Sequence, residues 1–323
     1  MSLTSSRRIP GFVDEDLVVE LPAIDLNLLG LDTNGDELGR LAVAAREFGA
    51  FRLTGHGVDV RVSDGLLAES RRFFDLPQPE RDAIDMIHSP YFRGYSAAGS
   101  ERTQGEPDLR EQLDVGPQEA AHPLAPGDPP YRRLHGPNLW PAALPELRPA
   151  VLGWMERLRD VSTRLMAEIV ASIGLPRNTL AAGFSGQPHE RLKIIKYPPA
   201  PASAQGVGEH SDSGFLALIV QDGTRGLQVH DGSCYIDVVA EPGDMIVVLG
   251  RALSAATSGE VTAARHRVTS PPAGSERVSI AYFLNPRLDY DGYGDEALKV
   301  VLRSHPETAQ RYFADLLTSI EHA

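Results

Sequence analysis

A chain of 323 residues with a formal net charge of -13 is long enough to bury a sizeable core. Its acidity disfavours partners that are gripped by clustered Lys and Arg, namely a nucleic-acid backbone or an anionic membrane, and leaves a small molecule as the expected substrate. The single cysteine, Cys234, excludes an internal disulfide framework and a Cys-rich zinc or iron–sulfur site; with no apolar run long enough for a membrane span and no export signal, a cytoplasmic protein is expected.

Val18 to Leu26 reads as a short strand, and from Asp36 to Phe48 the apolar Leu38, Leu41, Ala42, Ala45 and Phe48 recur at helical spacing. Ala50–Thr54 reads as a second strand ending at Gly55-His56-Gly57, followed by a helical pattern through Leu66, Leu67, Ser70, Phe73 and Phe74. Residues 18–115 are therefore expected to form a mixed α/β region. Pro123, Pro126, Pro129, Pro130, Pro137, Pro141 and Pro145 remove too many backbone donors for regular structure, so 116–145 is expected to be a long wrapped loop.

Within 146–176, Val151, Trp154, Leu158, Val161, Leu165, Ile169 and Ile173 form one apolar stripe at three- and four-residue steps, ended by Gly174 and Pro176. This is the pattern of a long helix backing a core. From 190 to 290 the texture changes to short apolar runs between turn residues: Lys193–Tyr197, Phe215–Gln221, Leu227–His230, Tyr235–Val239, Met245–Leu249, Ala263–Thr269 and Arg277–Leu284. Many short, evenly spaced strands predict a jelly-roll, a double-stranded β-helix, as catalytic core. A C-terminal helix over 307–320 completes a single domain of the α+β class, mostly β.

Gly208-Glu209-His210-Ser211-Asp212-Ser213-Gly214 sits at the mouth of an expected strand. Residues two apart on an extended backbone face one side, so His210 and Asp212 can converge on one ion. His266, 54 residues beyond Asp212 on another strand, supplies a third donor. Two imidazoles and a carboxylate hold Fe(II) on one face and leave positions open for a co-substrate and dioxygen, where a closed four-ligand site would bind without reacting. A lone His-x-Asp is common elsewhere, and the added weight comes from Arg277 and Ser279, on one face of a strand beginning eleven residues after His266. The guanidinium can clamp a carboxylate with two parallel hydrogen bonds, and the hydroxyl adds a donor.

With His-x-Asp, a distal His and Arg-x-Ser in this order, the sequence resembles the isopenicillin N synthase-like family of iron(II)/2-oxoglutarate oxygenases. Phe48 to Gly57 and Leu192 to Pro199 resemble that family's N-terminal strand and turn and its strand before the metal motif, so the resemblance runs nearly end to end. It implies Fe(II) on His210, Asp212 and His266. It also implies 2-oxoglutarate bound through Arg277, Ser279 and Tyr197, O2 as the other co-substrate, and succinate and CO2 as products. The target would be a small molecule, a specialised metabolite or amino-acid derivative, that is hydroxylated, desaturated or cyclised.

Ile195 stands where many members carry asparagine. Lys193, on the same strand face, either replaces that contact, binds a substrate carboxylate or reaches solvent. Glu101, Phe283 and Arg303 match substrate-lining positions of the bacterial ethylene-forming enzymes, and Tyr95 is a further candidate for substrate binding or for the core. Ser213 replaces a tyrosine of those enzymes, which counts against arginine as substrate. Two alternatives stand beside this reading. One is an iron oxidase of the same family that needs no 2-oxoglutarate, since isopenicillin N synthase itself retains Arg-x-Ser; the other is a non-catalytic metal-binding jelly-roll.

Overall fold

A computed structural model describes residues 20–30, 35–200, 205–271 and 274–320. Fourteen strands run through these residues: β1 (Ala23–Asp25), β2 (Ala50–Thr54), β3 (Gly94–Ser96), β4 (Arg102–Thr103), β5 (Glu106–Pro107), β6 (Glu111–Val115), β7 (His189–Tyr197), β8 (Gln205–His210), β9 (Leu216–Gln221), β10 (Leu227–His230), β11 (Tyr235–Asp237), β12 (Met245–Leu249), β13 (His266–Thr269) and β14 (Arg277–Asn285). Eight form a large sheet in the order β1-β2-β12-β9-β14-β7-β6-β3, and four form a smaller one, β11-β10-β13-β8. The short pair β4–β5 stands apart.

The large sheet is buried on both faces, and strand alternation divides its side chains between two cores. On β14, Val278, Ile280, Tyr282 and Leu284 join the larger core, while Ala281 and Phe283 join the core between the sheets. On β12, Met245, Val247 and Leu249 face one way and Ile246 and Val248 the other. Helix Leu147–Ser172 covers the outer face with the expected stripe, centred on the fully buried Trp154. Its indole Nε1 donates to Ser63 Oγ at 3.4 Å on helix Val60–Phe74.

Most expected strands are found within one to four residues of their sequence-derived bounds. The first is shorter, Ala23–Asp25, and Val18 and Val19 of that expectation lie outside the described residues. The 116–145 stretch lacks strands and α-helices, as its prolines require, and contains one short 3-10 turn, Pro130–Leu134. The C-terminus departs most. Ahead of the expected stretch lies a further helix, Tyr293–Ser304, and in place of one helix over 307–320 there are two, Pro306–Tyr312 and Ala314–Ile320. His305 cannot continue the first of these because it precedes Pro306, whose ring disfavours helical backbone at that position; its φ is -129° and its ψ 68°.

Candidate metal centre and its pocket

β8 and β13 pair antiparallel with His210 opposite His266, which brings the two imidazoles to a centroid separation of 4.2 Å. His210 Nδ1 lies 2.9 Å from Gly208 O and His266 Nδ1 lies 3.1 Å from Ala264 O. A carbonyl only accepts, so both Nδ1 atoms carry the proton, and both Nε2 lone pairs are left to face the third donor. Asp212 Oδ1 is 3.7 Å from His210 Nε2 and 3.9 Å from His266 Nε2. One donor atom from each of the three lies within 4.8 Å of the others. Burial, and then repulsion from His266, push the His210 imidazole down to about 4, so it is neutral at physiological pH, as a metal ligand must be.

Asp212 is not on the strand. β8 ends at His210, and the carboxylate reaches the histidines from the loop beyond, so the expected two-residue alternation is not what aims it. Backbone bonds hold this loop: Arg251 N–H donates to Asp212 O at 2.8 Å, Gly250 N–H to Phe215 O at 2.8 Å and Ala252 N–H to Gly214 O at 3.0 Å. Asn285 Oδ1 accepts from Phe215 N–H at 2.9 Å. Close approach makes two glycines necessary. A Cβ on Gly250 would lie 2.2 Å from Gly214 O, and one on Gly214 would lie 2.1 Å from Asn285 Oδ1.

The triad opens into a cavity of about 330 Å³ between the sheets. At one end Arg277, only 1% exposed, is paired in register with Tyr197 and lies over its ring, 5.0 Å from the centroid. Arg277 Nη1 donates to Ser279 Oγ at 3.1 Å, Nη2 to Gln221 Oε1 at 2.9 Å and Nε to Thr224 O at 3.3 Å. All three acceptors are neutral. Among the described residues no carboxylate lies within ion-pair distance of this guanidinium, and burial lowers its pKa. A buried, unpaired cation is costly, and an anionic ligand at this spot would relieve the cost.

Arg191, Lys193, Ile195 and Tyr197 all line the cavity, which is the shared face of β7 expected from alternation. Lys193 does not run out to solvent: its Nζ is 2.9 Å from Asp114 and 3.5 Å from Glu101. Glu101 lines the cavity and is held by Arg110 at 2.5 Å and Gln112 at 2.8 Å. Phe283 lines it too. Two candidates do not reach it. Tyr95 is a core residue, packed edge-on against Phe73 with its hydroxyl donating to Glu111 at 2.7 Å, and Arg303 lies exposed on its helix.

Other lining residues lay outside the sequence-derived set: Arg110, His189 and Arg191, with Tyr293, Ala297 and Val301 of helix Tyr293–Ser304. His189 and Arg191 were reachable by carrying the alternation of Lys193, Ile195 and Tyr197 two steps back along the strand. The apolar Ala297, Leu298, Val301 and Leu302 carried a helical signal of their own.

Residues 21–143 match the family described as non-haem dioxygenase in morphine synthesis N-terminal, and residues 188–286 match the 2OG-Fe(II) oxygenase superfamily. The chain is 35% identical over 274 residues to the 2-oxoglutarate-dependent dioxygenase frbJ of Dothideomycetidae sp. (strain 11243), covering 81% of this chain and 73% of that one. It superposes on the crystal structure of JOX2 in complex with 2OG, Fe and JA with a TM-score of 0.69 and 26% identity, covering 84% of this chain and 76% of that one. It is also similar to the crystal structure of the dioxygenase for auxin oxidation from rice, with a TM-score of 0.62 at 29% identity and coverage of 83% of this chain and 84% of that one.

Proposed function

Because the chain belongs to the 2OG-Fe(II) oxygenase superfamily and is an iron(II)- and 2-oxoglutarate-dependent dioxygenase of small molecules, we propose that its metal ligands are His210, Asp212 and His266 and its co-substrate anchors are Arg277, Ser279 and Tyr197. The donor set fits Fe(II): two imidazoles whose Nδ1 atoms are engaged by backbone carbonyls, and one carboxylate, with open cavity beyond them. Bound there, iron supplies the oxidising chemistry in which 2-oxoglutarate is decarboxylated to succinate while dioxygen is reduced and a substrate C–H bond is oxidised. The observation that carries the co-substrate assignment is the buried guanidinium of Arg277 in the same cavity, with neutral partners alone.

The protein's own residues then divide the work. The carbonyls of Gly208 and Ala264 hold the imidazoles in the ligating tautomer. Arg277 and the Ser279 hydroxyl fix the far carboxylate of 2-oxoglutarate, and the Tyr197 ring walls that end against water. Ile195, facing Ser279 across the strand pair, supplies no polar contact, so the anchor depends on Arg277 more heavily than where a polar residue stands there.

The test is succinate formation by protein given Fe(II), ascorbate, 2-oxoglutarate and a panel of small molecules, together with Arg277→Leu. Loss of a buried, charge-assisted carboxylate contact raises the 2-oxoglutarate KM about 30- to 1,000-fold. Substrate oxidation that proceeds equally without 2-oxoglutarate would instead establish the oxidase alternative.

A further inference from the structure

The end of the cavity away from Arg277 gathers several cationic side chains. Arg110, Arg191 and Lys193 all line it. Against them stand the carboxylates of Glu101 and, just behind the wall, Asp114. Asp108, 1% exposed, stands 3.5 Å from Arg110, so these groups balance in charge and differ in how fully each is bonded.

Both carboxylates are already saturated. Glu101 takes Arg110, Gln112 and Lys193, and His305 Nε2 stands 2.7 Å from it. Asp114 takes Gln112 at 2.8 Å, Lys193 at 2.9 Å and Arg191 at 3.2 Å, with no exposure to solvent. Neither has capacity left for a cationic ligand.

The cations are not saturated. Among the described residues Arg191 bonds through Nη2 alone, to Phe92 O at 2.8 Å and to Asp114, so its Nε and Nη1 are without partners. Arg110 works through Nη2, and its buried Nε has no partner. His189, 7% exposed, faces the same end with neither ring nitrogen bonded. Arg110 Nε and both ring nitrogens of His189 are buried without partners, which is rare in folded proteins, and beside them the free donors of Arg191 open to the cavity, marking a place for a polar ligand. Beside them Phe283, Ala297 and Val301 form an apolar wall.

We propose that this end is the substrate subsite and that it takes a small organic anion, a carboxylate seated on the Nε and Nη1 of Arg191 beside His189 with its apolar body against Phe283, Ala297 and Val301. The assignment rests on reading Arg277 as the 2-oxoglutarate anchor, which leaves the opposite end for the substrate.

The experiment uses the full chain loaded with Mn(II) and saturated with 2-oxoglutarate without oxygen, so that the Arg277 end is blocked. Calorimetry then compares matched acid, primary amide and amine on three skeletons: 3-phenylpropanoic, octanoic and cyclohexanecarboxylic. In at least one triple the acid should bind about tenfold or more tightly than the amide, with the amine weakest. Arg191→Leu should erase that preference with the 2-oxoglutarate Kd within about twofold of the unaltered protein, and Arg191→Lys should restore part of it. The comparison on the unaltered protein stands even where Arg191→Leu fails to fold.

Amides binding as tightly as acids in every triple would overturn the proposal, as would the absence of any acid binding below about 10 mM. An acid preference that disappears in Arg277→Leu rather than Arg191→Leu would place the anion at the wrong end and overturn it too. Failure of 2-oxoglutarate itself to bind, or binding indifferent to Arg277→Leu, would instead count against the co-substrate reading.

Discussion

At the scale of single residues, the centre is built from side chains whose protonation is fixed before any ligand arrives. The carbonyls beneath His210 and His266 choose the tautomer, and burial keeps His210 neutral. His266→Ala removes one of three donors and is expected to weaken Fe(II) or Mn(II) binding by about 100-fold or more, read by metal titration with folding checked by circular dichroism. The same burial couples stability to pH. In the unfolded chain His210 and His189 take up protons from about 6.5 downward, whereas folded His210 does so only near 4 and folded His189 is held well below its ordinary value, mainly by burial. Their contribution is therefore fully present above pH 6.5 and is lost as the pH falls through the folded-state values. Denaturant titrations of metal-free protein at pH 7, 5.5 and 4.5 should show this decline, and His189→Gln should flatten it by up to about one proton. An unchanged slope in the variant would exclude His189 as a contributor.

At the scale of elements, the loop carrying Asp212 is positioned by a neighbour, the turn into helix Arg251–Ala256. Gly250→Ala sets a Cβ 2.2 Å from Gly214 O, so the loop must move. The expected result is a loss of metal affinity larger than the loss of stability, measured by metal titration beside denaturant unfolding. Helix Leu147–Ser172 offers the opposite case. Trp154→Ala empties a fully buried site on the outer face of the sheet and should cost about 3–5 kcal/mol of stability while leaving the 2-oxoglutarate KM within about twofold, because Trp154 does not line the cavity. Helix Tyr293–Ser304 shows how an element can be misread. Its apolar Ala297, Leu298, Val301 and Leu302 recur at helical spacing, but the expected C-terminal helix was placed only over 307–320, where Pro306–Tyr312 and Ala314–Ile320 lie.

At the scale of the whole molecule, the N-terminal strands β1 and β2 are not an appendage. β2 pairs antiparallel with β12, and Ile24, Phe51 and Leu53 share one core with Trp154, Leu218 and Ile280. A shared sheet and core imply that the chain unfolds in a single transition, with calorimetric and van't Hoff enthalpies in agreement. Two resolved transitions would show that the regions 21–143 and 188–286 are independently stable. What the sequence by itself determined was local and periodic. The shared face of Lys193, Ile195 and Tyr197, the shared face of Arg277 and Ser279, and the stripe of the long helix all follow from repeats of two or of three and four residues along one segment. What only the tertiary structure decided depends on contacts between segments far apart in the chain. These are the register that sets His266 against His210, the swing of Asp212 beyond its strand, the withdrawal of Tyr95 into the core, and the meeting of Glu101, Arg110, Asp114, Arg191, Lys193 and His305 at one end of the cavity. Periodicity says which way a side chain points on its own strand, but strand pairing and helix packing choose what it meets, and those are fixed by the folded whole.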